Sequence, residues 1–276
     1  MTNLQPTTVY SSSEGGGLRD AGLDILSGLG RVQLWSSLAI QDVAARYRGS
    51  ILGPWWITLT MGALIGGMSV LYSKLMHLSL EQYVPWMSCG IVLWGFMSAT
   101  ITEGCESFTT AAPIIRQTSL PLFTFVLRTL VRNLIVLAHN SVIVAIVAVV
   151  FAFWSHVRLG ELLLGLALLV LNLSWVVTVA ALASARFRDV PQIVVAVMQV
   201  ALFITPVFWR PDQLAGRPMI LIYNPFFHLI EVVRAPLVGA KASPGALAIC
   251  AALAAAGWLA AFLLFSANRR RIVHYL

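Results

Sequence analysis

The feature that most constrains this chain is a set of long apolar runs that contain no Asp, Glu, Lys or Arg. Each run has about the 20 residues with which a helix crosses ~30 Å of hydrocarbon. A backbone in lipid must satisfy its own hydrogen bonds, and the runs lack the alternation of a membrane β-barrel strand. The sequence therefore predicts an all-α membrane protein with six transmembrane helices. The six runs are residues 51–72, 83–102, 133–157, 162–185, 190–209 and 242–268.

Composition supports the same class. Hydrophobic residues make up 59% of the 276 residues and charged residues 11%, and the mean hydropathy is +0.84. Soluble domains carry roughly 25% charged residues. The cysteines Cys89, Cys105 and Cys250 lack the spacing of a metal or redox motif. These values argue against a disordered chain, a disulfide-rich secreted scaffold and an ordinary soluble enzyme.

The basic residues predict the orientation. With a cytoplasmic N-terminus, twelve of the 18 Lys and Arg residues lie on the cytoplasmic side and six outside. This ratio favours both termini in the cytoplasm. Residues 1–30, rich in Ser and Gly at 11–17, are expected to form a flexible tail without a cleavable signal peptide.

Two segments are too polar or too broken to span. Residues 31–48 form an amphipathic helix, which acts either as a membrane-surface anchor or as a collar that also guides a substrate head group. Residues 210–241 are expected to form two short helices that dip into the outer leaflet, because Asn224-Pro225 starts a helix and Pro236 disturbs its end. They serve as a gate or as a plain cap.

The inner segment 103–121 leaves two alternatives open. Glu103 and Glu106 either pair with Arg128 and Arg132 at the membrane surface or belong to a docking element for a cytoplasmic partner. Arg128 and Arg132, spaced i, i+4, lie on one helix face and suit a phosphate route.

The chain lacks the motifs of common membrane chemistry. It has no phosphate loop, no H-E-x-x-H and no G-x-S-x-G motif. Its spans carry no central carboxylate of the kind that ion-coupled carriers use. We therefore expect no catalytic residues, no metal and no cofactor in this chain, and a transport pathway powered from outside it. Trp94 lies well inside its run, where it either packs against neighbours or lines a path.

Three segments resemble the ABC-2 type permeases that export bacterial surface polysaccharides and polyol phosphates. They occur in the family's order, within a resemblance that runs from about residue 31 to residue 276. The segments are RYRGSILGPWW (46–56), RFRDVPQIVVAVMQVALFITPVFW (186–209) and YNPFFHLIEVVRAPLVG (223–239).

The resemblance implies a six-span permease subunit, 49–276, of an exporter in the bacterial inner membrane. It implies a homodimer with two copies of a separate ATPase that binds ATP and Mg, an interface helix at 31–48, and a lipid-linked polysaccharide such as O-antigen as substrate. An efflux permease for drugs or small lipids, and a membrane-embedded enzyme or assembly factor, are the alternatives.

The resemblance and the charge pattern together assign expected roles to particular residues. The substrate head group is expected at Arg46, Tyr47, Arg48, Arg128 and Arg132, and the glycan pathway at Trp55, Trp56, Trp94 and Phe208. ATPase coupling is expected at Glu103, Glu106, Arg186, Arg188 and Asp189, and the outer gate at Asn224, Pro225 and Arg234.

Overall fold

A computed structural model describes residues 17–53, 55–75, 79–213 and 219–276. Within these ranges the regular secondary structure is helical, as the apolar runs predict. The α-helices are α1 (Leu18–Gly30), α2 (Val32–Arg46), α3 (Trp55–Leu75), α4 (Leu80–Cys105), α5 (Ala112–Gln117), α6 (Phe123–Val150), α7 (Leu159–Arg186), α8 (Val190–Ile204), α9 (Met219–Ile222), α10 (Pro225–Leu237) and α11 (Pro244–Tyr275).

Five helices in the described ranges, α3, α4, α6, α7 and α11, are long and apolar enough to cross a membrane. The predicted sixth, over 190–209, forms the shorter helix α8, which has 15 residues and ends at Ile204. Thr205 is extended (φ −85°, ψ 136°) because it precedes Pro206, and a proline disfavours the helical conformation of the residue before it.

Helix α6 differs from its predicted run at both ends. It begins at Phe123 rather than at 133, so Arg128 and Arg132 lie inside a helix and not in a loop. It ends at Val150 rather than at 157, where Ala152 adopts a positive φ of 55° and a short 3-10 turn follows. The charge-free run marked the wrong start because the two arginines are paired within the protein and so do not interrupt the helix.

The predicted tail is also too long. Residues 18–30 form helix α1, with Ala21, Asp24 and Gly28 buried on one face. The remainder of the predicted tail, 1–16, lies outside the described residues. Helix α2 follows after Arg31 and packs against α6, and its buried residues are Ala39 and Val43.

Helix α4 forms the centre of the bundle. It contacts α3, α6, α7, α8 and α10, and it buries Tyr83, Met87 and Met97 completely. Helix α7 packs on α11 and α10 where glycines permit close approach. A Cβ on Gly165 would lie 2.1 Å from the Val232 carbonyl oxygen, and one on Gly257 would lie 2.1 Å from the Trp175 ring. Trp175 is thereby packed between two helices.

Helices α4, α7 and α11 end, and α6 begins, at the same end of the bundle, and many of the charged residues in the described ranges lie there. This end, here called the basic end, combines α1, α2 and α5 with the first turns of α6 and the last turns of α4 and α11. The segment 210–241 lies at the opposite end, where two short helices, α9 and α10, form as predicted. Residues 214–218, which belong to the same prediction, lie outside the described residues.

Candidate functional site

The most concentrated group of charges joins α2, α4 and α6 at the basic end. We call it the arginine cluster. It contains three cations and two carboxylates. The Arg46 side chain is 43% exposed, and the other four are between 17% and 22% exposed. Its members are Asp42, Arg46, Glu103, Arg128 and Arg132.

Asp42 receives both arginines of α6. Arg128 donates from Nε to Oδ2 over 2.7 Å and from Nη2 to Oδ1, which makes the pair bidentate. Arg132 donates from Nη1 to Oδ2 over 3.2 Å. Burial raises the pKa of Asp42, but the hydrogen bonds and charges of the two arginines outweigh it and hold that pKa below its ordinary value. The carboxylate is therefore ionised at neutral pH and fixes α2 on α6.

Glu103, in the last turn of α4, is the second centre of the cluster. Its Oε1 accepts from Arg46 Nη2 over 2.7 Å. Its Oε2 accepts from Arg132 Nη2 and Nε over 2.8 and 3.0 Å, and from Asn133 Nδ2 over 2.9 Å. Although burial lowers the pKa of Arg46, its bond to Glu103 raises that pKa above the ordinary value. Four donor atoms from two helices thus converge on one carboxylate.

A cavity of about 170 Å³ opens beside Glu103 between α3, α4 and α6. Its polar lining consists of Arg46, Glu103, Asn133 and Asn140, and the remainder is mostly aliphatic. Asn140 is buried, and its Oδ1 accepts from Thr58 Oγ1 over 3.5 Å. The cavity therefore joins a charged mouth to an apolar wall, the combination that an amphiphile with an anionic head group requires.

The structure separates the residues predicted for the head group. Arg46, Arg128 and Arg132 belong to the cluster, whereas Tyr47 forms the half-buried C-cap of α2 and Arg48 is exposed beyond it. Glu103 pairs with Arg132, as the pairing alternative of the sequence analysis expects, whereas Arg128 pairs with Asp42, a partner that the alternative did not include.

The predicted coupling residues also divide into two groups. Glu103 lies in the arginine cluster, while Glu106 is exposed at the C-cap of α4. Arg186, Arg188 and Asp189 are exposed between α7 and α8 at the same end of the bundle. The Arg186 guanidinium lies 5.1 Å from the centroid of the Phe187 ring.

At the opposite end, the predicted gate residues occupy well-defined positions. Asn224 caps α10, its Oδ1 accepting from the backbone N–H groups of Phe226 and Phe227 over 3.0 and 3.3 Å. Its Nδ2 donates to Thr205 Oγ1 over 3.0 Å. Pro225 stands in the first turn of α10, where its missing N–H leaves no helical bond unmade. The cap thus joins the start of α10 to the break after α8.

Arg234, which the sequence analysis assigned to the outer gate, is completely buried. Its Nη1 donates to the Pro206 carbonyl oxygen and its Nη2 to Glu231, both over 2.9 Å. Its guanidinium lies 3.2 Å from the centroid of the Trp86 ring. A buried arginine needs this full set of partners, and it anchors α10 to α4 and to the segment after α8.

The four aromatic residues predicted to face the glycan differ in exposure. Trp55 and Trp56 are about half exposed, at 50% and 59%. Phe208 is half-buried and stacks on Tyr72, and its carbonyl oxygen accepts from the Tyr83 hydroxyl. Trp94 is 7% exposed and meets the Phe226 ring edge-to-face at 5.5 Å, so it contacts its neighbours within the chain.

Sequence reasoning missed a second charged contact at the basic end. The Asp24 side chain is 1% exposed, and its Oδ2 accepts from Arg269 Nε over 2.8 Å. Its Oδ1 accepts from the Phe123 backbone N–H over 3.0 Å. One carboxylate therefore joins α1, α6 and α11. The detectable signal was the spacing of Ala21, Asp24 and Gly28 on one face of a helical segment.

Comparison of the sequence with known proteins identifies the family of the chain. The profile of the ABC-2 type transporter family matches residues 33–238, which include α2 from its second residue, the arginine cluster and α10. The O-antigen export system permease protein RfbA of Myxococcus xanthus is similar to the chain, with 23% identity over 204 residues, which is 72% of this chain and 78% of the relative. The chain therefore belongs to the ABC-2 type transporter family and is a multi-pass membrane subunit of a transporter.

Proposed function

We propose that this protein is the permease subunit of an ATP-driven exporter that moves a lipid-linked polysaccharide, similar to O-antigen, outward across the bacterial inner membrane. The observation that carries the proposal is the similarity to an O-antigen export permease over 72% of the chain. The arginine cluster beside an amphiphilic cavity supports it, because a polysaccharide carrier lipid presents phosphate and hydrocarbon together.

The second candidate is efflux of a drug or small lipid by the same architecture. The small size and aliphatic wall of the cavity, about 170 Å³, favour it. In both cases the motor is a separate ATPase, since the sequence contains no phosphate loop.

The proposed membrane arrangement has six spans and cytoplasmic termini. Helix α8 together with residues 205–209 supplies the sixth span, and α2 lies along the cytoplasmic surface. In this arrangement the basic end faces the cytoplasm, where Glu106, Arg186, Arg188 and Asp189 are exposed for contact with the ATPase. Asn224, Pro225 and Arg234 then form the outer gate.

The functional unit in this proposal is a homodimer with two ATPase copies. Helices α3 and α8 present long rows of exposed apolar side chains, and nothing within the described chain lies within 4 Å of a Cβ placed on Gly66 or Gly67 of α3. A two-fold symmetric dimer is the commonest closed assembly, and small residues allow two helices to approach closely in lipid. Exposed aromatic residues such as Trp55 and Trp56 would then face the path.

Deletion of the gene, with complementation by wild-type and variant chains, tests the proposed function. We expect the deletion strain to retain lipid-linked glycan on the cytoplasmic side and to lose it from the surface. The wild-type chain should restore export, and Arg132→Gln should restore it poorly, because that change removes a charge from both centres of the cluster. Normal surface glycan together with altered drug susceptibility would refute polysaccharide export and support efflux.

A further inference from the structure

We propose that Glu103 occupies an anion site as an internal ligand, and that a phosphate group of the transported lipid takes its place between Arg46 and Arg132. This inference rests on the proposed function in its choice of a lipid phosphate. It assigns Glu103 a role in the binding site, as a competitor that the substrate must displace.

The geometry around Glu103 is that of an anion cradle. Arg46 Nη2 lies 2.7 Å from one carboxylate oxygen. Arg132 Nη2 and Asn133 Nδ2 lie 2.8 and 2.9 Å from the other. Guanidinium and amide donors arranged in this way recognise phosphate oxygens as well as carboxylate oxygens. The site is therefore complete for an anion and is filled by the protein's own side chain.

The charge balance favours exchange. Three arginines and two carboxylates give the cluster a net charge of +1. When Glu103 turns away, Asp42 still pairs with Arg128 and Arg132, and the cradle keeps a net charge of +2. The diphosphate that would link a glycan to its carrier lipid carries two negative charges, one on each phosphate, and matches this value, whereas the single charge of Glu103 does not.

Glu103 has room to leave, and the ligand has room to arrive. The Glu103 side chain is 22% exposed, and it stands in the last turn of α4, which ends at Cys105. The cavity beside it, about 170 Å³, is much larger than the ~30 Å³ share of one water molecule. Deeper in the cavity, the Asn140 side-chain N–H₂ donates to no described residue, so it offers a neutral donor to the group next to the phosphate.

Arg46 is the residue that the exchange would move most. It is the most exposed member of the cluster, and its ion pair in the structure is with Glu103, not with Asp42. Replacement of the Glu103 bond by a phosphate bond would release α2 from α4 and attach it to the ligand. Substrate binding would in this way be transmitted to the helix proposed to lie on the cytoplasmic surface.

Binding to the purified full-length permease in detergent tests the proposal by isothermal titration calorimetry. Three probes separate the sources of the phosphate: farnesyl diphosphate, inorganic pyrophosphate and farnesol. Because Glu103→Gln removes the competing charge, we expect it to bind farnesyl diphosphate about tenfold more tightly than the wild type. Arg46→Gln should bind it about tenfold more weakly.

Glu161→Gln is the matched control, because Glu161 also pairs with an arginine, Arg158, at the end of the bundle away from the cluster. It should bind with wild-type affinity. If pyrophosphate shows the same gain in Glu103→Gln, the cradle recognises phosphate itself, and if only farnesyl diphosphate does, the lipid chain contributes. Both results support the cradle.

Unchanged or weakened binding in Glu103→Gln, or equal affinity for farnesol and farnesyl diphosphate, would overturn the proposal. If Glu103→Gln fails to fold, the comparison of wild type with Arg46→Gln tests the proposal. Equal affinities of these two proteins for farnesyl diphosphate would overturn it. A failure of polysaccharide export would instead appear as normal surface glycan in the deletion strain and would leave these affinities unchanged.

Discussion

Substitution of Asp24 tests whether helix α1 belongs to the folded transmembrane unit. Asparagine has the same shape and keeps an acceptor for the Phe123 N–H, which lies 3.0 Å from Oδ1. It loses the charge that faces Arg269 Nε at 2.8 Å. A hydrogen bond to a charged group contributes about 1.5–3 kcal/mol and a neutral one about 1 kcal/mol. Since Arg269 is 17% exposed, water recovers part of the difference, and we expect Asp24→Asn to cost about 1–2 kcal/mol.

The assay is thermal unfolding of the detergent-solubilised protein by scanning fluorimetry, in which this cost corresponds to a fall of about 2–8 °C in Tm. Asp20→Asn is the control on the same helix. The Asp20 carboxylate lies 3.8 Å from Arg270, and both side chains are exposed, so the change should stay within about 0.5 kcal/mol. Equal Tm values for the two variants would refute the reasoning and show that the Asp24 contact does not hold α1 on the bundle.

Three other substitutions test contacts elsewhere, with the same assay. Gly165→Ala places a Cβ 2.1 Å from the Val232 carbonyl oxygen and should lower the stability by about 1–3 kcal/mol. The control Gly160→Ala meets nothing within 4 Å and should not lower Tm. An equal fall in Tm for the two variants would contradict the close approach of α7 to α10. Asn224→Ala removes the cap of α10 and should cost about 1 kcal/mol, which Asn224→Ser should largely restore. The arginines hold the pKa of Asp42 below its ordinary value of 3.8, so its stabilising effect is complete above that value and is lost as the pH falls below it. Wild type should lose more stability in acid than Asp42→Asn, and parallel curves would argue against this ion pair.

The location of the long helices could be predicted from the sequence, because hydrocarbon thickness sets a minimum length for an apolar run. Their ends could not, because a charge ends an apolar run without ending a helix. Arg128 and Arg132 lie within α6 because Asp42 and Glu103 neutralise them. The sequence analysis also missed helix α1. Its polar residues form no long apolar run, although the helix packs on the rest of the protein.

The candidate site was predictable in composition and not in arrangement. The sequence indicated Arg46, Arg128 and Arg132 for an anionic head group, but the resemblance assigned Glu103 to contact with the ATPase. Its place in the cluster depends on the packing of α2, α4 and α6, which lie far apart in sequence. In the same way, the burial of Arg234 depends on a contact that the sequence does not reveal. Its guanidinium donates to the Pro206 carbonyl oxygen, which lies just after the end of α8.

The distribution of polar groups restricts where an exported glycan can pass. Within the chain, some polar side chains of the long helices join one helix to another, as Asn172 does in its bond to the Cys250 carbonyl oxygen at 3.0 Å. Trp94 could face a sugar only if α10 moved, yet α10 is held by the Asn224 cap and by the buried Arg234. The cavity beside Glu103, at about 170 Å³, is too small for a chain of hydrated sugars. Under the proposed export function, the glycan path must therefore lie between protomers, with the arginine cluster of each positioned to receive the phosphate of the carrier lipid.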